Sequence, residues 1–101
     1  MAIFYIKRND TKPSLSAILS QDGSAVDITG ATVNFHMGDI IDTAAVIVNA
    51  ATGSVRYDWA AVDTEKAGEF SAEFEVTFSD GKIETFPNVG YLRINIDEDL
   101  A

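Results

Sequence analysis

The 101-residue sequence has no cysteine, one histidine and few basic side chains, 7 against 16 acidic ones. Without cysteine, disulfide scaffolds, thiolate metal sites and cysteine nucleophiles are excluded. No apolar run approaches the roughly 20 residues of a membrane-spanning helix. A formal net charge of −9 lacks the basic footprint that nucleic acid requires. We therefore expect neither nucleic acid nor a membrane as partner.

The residues that are present are sufficient for a hydrophobic core. Hydrophobic residues make up 47% of the chain and aromatic residues 10%, so global disorder is not expected. The length predicts one domain over residues 1–101. Lys7 and Arg8 directly follow the apolar start, which differs from a secretion signal, so we expect synthesis in the cytoplasm.

The charges are unevenly distributed along the chain. Residues 1–12 contain Lys7, Arg8, Lys12 and Asp10, a sum of +2, and the remainder sums to −11. A basic start on an acidic body could favour docking on a partner or head-to-tail contact between copies. A solvated surface with this pattern by chance is the more frequent explanation, because charge patterning alone is weak evidence of a partner.

Alternation of apolar and polar residues predicts short strands along most of the chain. A period of two is typical of a strand with one buried face. The clearest segments are Pro13–Ser20, Ala31–Met37, Ser54–Trp59, Glu69–Phe78, Ile83–Phe86 and Tyr91–Ile96. Ala45–Val48 is apolar on both faces, which indicates a buried strand or a contact surface.

Turn sequences separate these segments, and helix is almost absent. Gln21–Ser24, Thr52-Gly53 and Asp80-Gly81 are typical of turns, the last of a β-hairpin. Asp63–Ala67 has room for about one helical turn. We predict an all-β fold, an immunoglobulin-like antiparallel β-sandwich of about seven to eight strands, with a small barrel as the alternative.

No set of residues predicts an enzyme, a cofactor or a metal site. His36 lies on the polar side of a predicted strand and no nucleophile motif accompanies it. Glu73 and Glu75 share one strand face, as expected of a solvated acidic surface. The cluster Asp97–Asp99 lacks the other ligands of a calcium loop, and a weak shared site is the alternative to a charged chain end.

Two apolar features predict contact with other molecules. Tyr91 lies on the same strand side as Arg93, opposite the inward residues, and such pairs are frequent contact residues. Ile3–Ile6 is apolar on both sides, so its own domain or another subunit must cover it. Trp59 shares a side with core residues, so we expect core packing rather than sugar stacking. The candidate contact residues are Ile3, Phe4, Tyr5, Ile6, Lys7, Arg8, Tyr91 and Arg93.

An ordered series of short motifs resembles a known family. The series is Lys12–Leu15, Val26–Val33, Ala67–Phe70, Ala72–Val76, Asp80–Lys82, Phe86-Pro87 and Gly90-Tyr91. Over residues 10–96 it resembles the N-terminal domain of phage baseplate upper proteins. The resemblance implies an immunoglobulin-like sandwich that anchors tail or baseplate components and has no catalytic residues. Members often continue into a coiled coil and receptor-binding regions, whereas this sequence ends after the sandwich, so we expect it to share assembly rather than host recognition.

From these observations we expect a non-enzymatic phage virion protein, an adaptor of the tail, baseplate or head–tail region. Its expected partners are other phage structural proteins and further copies of itself, with the strand at residues 1–8 as a contact. It would be made in the host bacterial cytoplasm and reside in the virion. The alternatives are a carbohydrate-binding module for host glycans, using Trp59 or Tyr91, and an immunoglobulin-like capsid decoration protein.

Overall fold

A computed structural model describes residues 3–100, which form eleven β-strands and two short 3-10 helices. The strands are β1 (Ile3–Lys7), β2 (Leu15–Ile18), β3 (Ser20–Gln21), β4 (Ser24–Ala25), β5 (Thr32–Met37), β6 (Ile41–Ala44), β7 (Val46–Asn49), β8 (Ser54–Tyr57), β9 (Gly68–Thr77), β10 (Ile83–Phe86) and β11 (Leu92–Asp97). The helices are Ala50–Thr52 and Ala61–Thr64. Within this described part, no helix is of the length and apolarity needed to cross a membrane.

The larger sheet has the order β1-β11-β9-β5-β6, with β10 paired to the second half of β9. The ten-residue β9 is the middle strand of this order. Its inward side carries Ala72, Phe74 and Val76, all buried. All pairings in this sheet are antiparallel except that of β1 with β11, which is parallel. The sheet is therefore mixed.

The smaller sheet has the order β2-β8-β7 and packs against the larger one. The chain passes from β6 in the larger sheet to β7 in the smaller one through Ala45, whose N–H donates to Val33 O at 2.9 Å. This connection closes one side of the sandwich. A register shift between Ile47 and Asn49 bulges the edge strand β7, which leaves Val48 half exposed.

Aromatic residues from both sheets meet at the centre of the core. The Phe35 ring lies 4.5 Å from Tyr57, 5.0 Å from Phe74 and 5.8 Å from Trp59, measured between ring centroids. Burial of each such side chain contributes about 1.5–3 kcal/mol. The all-β sandwich predicted from the sequence is confirmed.

The turn that joins β7 to β8 supports the base of the hairpin formed by β3 and β4. Gly53 has φ 67° after the helix Ala50–Thr52, and its carbonyl oxygen accepts from Leu19 N–H at 2.8 Å. Val26 N–H in turn donates to Leu19 O at 2.9 Å. These bonds fix the hairpin base, while Ser20–Ala25 projects into solvent.

Most predicted strands are observed, with three differences in the elements. The Asp80-Gly81 hairpin is confirmed by the antiparallel pairing of β9 and β10. The expected turn at Gln21–Ser24 is flanked by the short strands β3 and β4, and β6 was not predicted. The helical turn lies at Ala61–Thr64, slightly before the predicted Asp63–Ala67.

Candidate protein-contact site

β1 is the outermost strand on one side of the larger sheet and has two different faces. Ile3 and Tyr5 are 50% and 58% exposed. Phe4 and Ile6 point inward: Ile6 is 5% exposed, and Phe4 packs on the core with its ring 5.8 Å from that of Trp59. Within the predicted contact segment Ile3–Ile6, only Ile3 and Tyr5 are therefore available to another molecule, because Phe4 and Ile6 are covered by their own domain.

The basic residues at the end of β1 also differ from each other. Lys7 is exposed, whereas Arg8 is engaged within the domain. The Arg8 guanidinium donates to the carbonyl oxygen of Glu65 at 3.0 Å and to the carboxylate of Glu98 at 3.1 Å. Arg8 therefore ties the end of the sandwich together, and Lys7 is the one of the pair that faces solvent.

Tyr91 and Arg93 lie on the outer face of the larger sheet, beside β1. Tyr91 is 52% exposed, and Arg93 pairs in register with Ile3 on one side and Ser71 on the other. Arg93 Nη1 lies 3.4 Å from a Glu69 carboxylate oxygen. The structure thus brings four of the predicted contact residues, Ile3, Tyr5, Tyr91 and Arg93, onto one surface, which we call the outer patch.

A shallow depression of about 330 Å³ adjoins the outer patch. Its lining residues are Tyr91, His36, Gly38, Ser71 and Glu73. Ser71 and Gly38 are neighbours across strands, since Gly38 N–H donates to Ser71 O at 3.0 Å. The depression is open here because the Ser71 side chain is small and Gly38 has none. Apart from Tyr91, these residues are not predicted as contacts from the sequence, because their proximity depends on register between distant strands.

The polar groups near the depression centre on His36 and two carboxylates. His36 lies between carboxylates, with Nδ1 3.5 Å from Asp42 and Nε2 3.9 Å from Glu75. Its Nε2 is buried without a hydrogen-bond partner in the described residues. Within residues 3–100, no group of three or more His, Cys, Asp or Glu side chains could hold a metal ion. This includes the acidic cluster predicted as a weak calcium alternative, where Glu98 instead binds Arg8.

Tyr57 and Asp58, two side chains with shifted pKa values, lie away from the outer patch and stabilise the fold. The pKa of Tyr57 is raised, first by burial and then by its hydrogen bond to Asp63 at 2.6 Å. The pKa of Asp58 is lowered by hydrogen bonds from Arg56 and then Ser14. Both tie the smaller sheet to adjacent loops, so neither indicates a reactive site.

Comparisons with known proteins identify a family and a fold. A model of the family described as the BppU N-terminal domain matches residues 2–97. BppU stands for the baseplate upper protein, so this is the family that the sequence motifs resemble. No curated protein matches the chain. The crystal structure of CopC from Methylosinus trichosporium OB3b is similar with a TM-score of 0.56 and 13% sequence identity, over 100% of this chain and 89% of that one. At that identity the likeness concerns the β fold alone.

Proposed function

The chain belongs to the family of BppU N-terminal domains, which are phage baseplate structural domains, and on that basis we propose a specific role for it. The role is that of a non-enzymatic adaptor, which holds structural proteins of the particle, further copies of itself included, through the outer patch. It would be made in the host cytoplasm and reside in the virion. The observation that carries this proposal is a half-exposed apolar surface on a strand at the sheet edge.

The composition of the outer patch supports a protein partner. Ile3, Tyr5 and Tyr91 are each about half exposed, and Arg93 lies among them in register with Ile3. Tyrosine and arginine are enriched among residues that dominate binding energy. Exposed apolar groups grouped in this way typically mark an interaction site.

The edge of β1 adds a second means of contact. An outermost strand presents backbone N–H and C=O groups that can pair with another chain. β1 has none of the irregularity that bulges β7, because its register with β11 is continuous from Ile3 to Lys7. A partner strand could extend the larger sheet here, which is a common mode of peptide recognition.

The incorporation of outer-patch variants into particles tests this proposal. Ile3→Ser combined with Tyr5→Ser removes outward side chains and leaves the core unchanged. The matched control is Ile18→Ser with Val46→Ser, which are 64% and 40% exposed on the smaller sheet. Each variant is supplied to a phage lacking its own copy, and purified particles are quantified by mass spectrometry.

We expect the outer-patch variant to fold and to be depleted from particles at least about tenfold, as loss of 1.4 kcal/mol or more of binding energy implies. The control should be incorporated like the wild type. Equal incorporation of both variants would show that the outer patch is not the contact. Absence of the wild-type chain from particles would overturn the structural role itself.

The glycan alternative retains only one of its two aromatic residues. Trp59 is 4% exposed in the core and cannot stack on a sugar. Tyr91 does line the depression together with Glu73 and Ser71, a combination of aromatic and polar groups that suits a sugar ring. A glycan array with wild-type protein and Tyr91→Ala tests this alternative: binding lost in the variant would favour it.

The capsid-decoration alternative differs only in location, which immunogold labelling of particles would decide.

A further inference from the structure

One row of residues across the outer face of the larger sheet changes from large to small side chains. The row reads Ile3, Arg93, Ser71, Gly38 on β1, β11, β9 and the end of β5. Ile3 pairs with Arg93 and Arg93 with Ser71, and Gly38 N–H donates to Ser71 O. The two large residues stand beside the depression left by the two small ones.

We propose that this row is a self-association surface, in which a second copy of the chain seats Ile3 and Arg93 in the depression over Gly38 and Ser71. A twofold axis parallel to the strands, between β11 and β9, places β11 of one copy over β9 of the other. The same rotation places β1 over the end of β5. Each copy then both fills a depression and has its own filled, as an isologous interface requires.

The charges around the row fit the same arrangement. Glu69 and Glu73 flank Ser71 on the outward side of β9, and Glu69 is 58% exposed. A partner Arg93 placed over Ser71 would lie between these two carboxylates. Arg93 is 39% exposed and holds Glu69 of its own copy only at 3.4 Å, so its guanidinium retains donors for the second copy.

The tyrosines beside the row, Tyr91 and Tyr5, add further contacts with the second copy in this arrangement. Tyr91 is two positions before Arg93 on the same strand face, so the axis brings it over Glu73 of the second copy. A phenol can donate a hydrogen bond to that carboxylate. Tyr5, on the other side of the row, comes over the turn after β5, where Ile40 is 41% exposed.

The expected affinity is low. Strands about 4.8 Å apart with a rise of about 3.3 Å per residue give a contact on the order of 400 Å² per copy. A stable interface buries about 800 Å² per partner. We therefore expect a dissociation constant between about 10 μM and 1 mM. In a particle, tethering of neighbouring copies would strengthen such a contact.

This inference rests on the proposed assembly role and names its partner, and charge reversal in solution tests it. Arg93→Glu replaces the basic group of the row by a third carboxylate beside Glu69 and Glu73, and Glu73→Lys places a second basic group beside Arg93. Alone, each variant should lose dimerisation at least about tenfold relative to the wild type. Mixed in equal amounts they should form a heterodimer, because each altered side chain then meets its opposite charge. Sedimentation velocity at rising concentration, in about 0.05 M and 0.5 M salt, measures this association.

Matched controls keep the net charge of each variant. Lys82→Glu and Asp22→Lys, the latter at the exposed tip of the hairpin formed by β3 and β4, make the same changes outside the larger sheet's outer face and should dimerise like the wild type. A wild-type chain that stays monomeric to about 1 mM, or a mixture that stays monomeric, would overturn the inference. In that case particle incorporation of the wild type would still support the structural role, whereas its absence from particles would remove that role whatever the solution result.

Discussion

Replacement of Gly53 by alanine should destabilise the domain strongly, because the backbone there is both left-handed and crowded. Gly53 has φ 67°. A Cβ at this position would lie 2.6 Å from the carbonyl oxygen of Val26 and 2.8 Å from that of Leu19. Leu19 is 3% exposed in the core, and Val26 is partly buried and packs against the core. Neither carbonyl can therefore withdraw without disturbing this packing.

The expected cost has two parts. The left-handed conformation costs an L-residue about 1–2 kcal/mol. Forcing extra atoms into a packed site typically costs about 1–3 kcal/mol more. Against a total stability of about 5–15 kcal/mol, the sum of about 2–5 kcal/mol is large. At about 4–8 °C per kcal/mol, the Tm should fall by about 8–40 °C.

Gly81→Ala is the control that separates the two parts. Gly81 also has a positive φ, 89°, but a Cβ there meets no atom within 4 Å. It should therefore cost only the conformational part, about 1–2 kcal/mol. Urea unfolding followed by the fluorescence of Trp59, which is 4% exposed in the core, measures both variants. Free energies of unfolding that agree within about 0.5 kcal/mol would refute the described packing of the hairpin base against the β7–β8 turn.

Two further predictions concern the core and the outer patch. Tyr57→Phe should cost about 1 kcal/mol at neutral pH through the lost hydrogen bond to Asp63. Since the folded state raises the pKa of Tyr57, wild-type stability is complete below the unfolded pKa of about 10 and falls above it. The variant should lack that part of the fall, and chemical denaturation from pH 8 to 11 would detect it; identical slopes would contradict the assignment. Phe4→Ala should cost about 1–3 kcal/mol because the ring packs on Trp59, whereas Tyr5→Ala on the same strand should stay within about 0.5 kcal/mol. Thermal unfolding compares the two, and equal losses would mean that the two faces of β1 are wrongly assigned.

The sequence predicts the interior of the sandwich well where apolar and polar residues alternate strictly. Val33, Phe35 and Met37 are all buried, as the period of two requires. Other interior positions lack such a local signal. Ile41 is the only buried residue of β6, and Ile28 is fully buried outside any strand, so their burial is set by tertiary packing alone.

The candidate contact site is predictable only in part, for a related reason. All of Ile3–Ile6 is apolar, so the pattern separates two faces without telling which one is inward. The parallel pairing with β11 decides this, and it joins positions about 90 residues apart. Ser71 and Gly38 are likewise ordinary outward and turn residues in the sequence. Their position beside Arg93 follows only when three strands are placed in register.

The exposed strands on the two sides of the sandwich differ in how regular their backbone is, and this difference bears on where contact occurs. On one side the chain continues from β6 into β7, and the bulge beside Val48 interrupts pairing with further strands. On the other side β1 is regular, and its outward face carries Ile3 and Tyr5 rather than a row of charges. A domain at risk of unspecific pairing would protect both sides alike. Here only one side is protected, and the otherwise acidic surface limits aggregation. This arrangement is expected when the edge of β1 pairs with one specific partner.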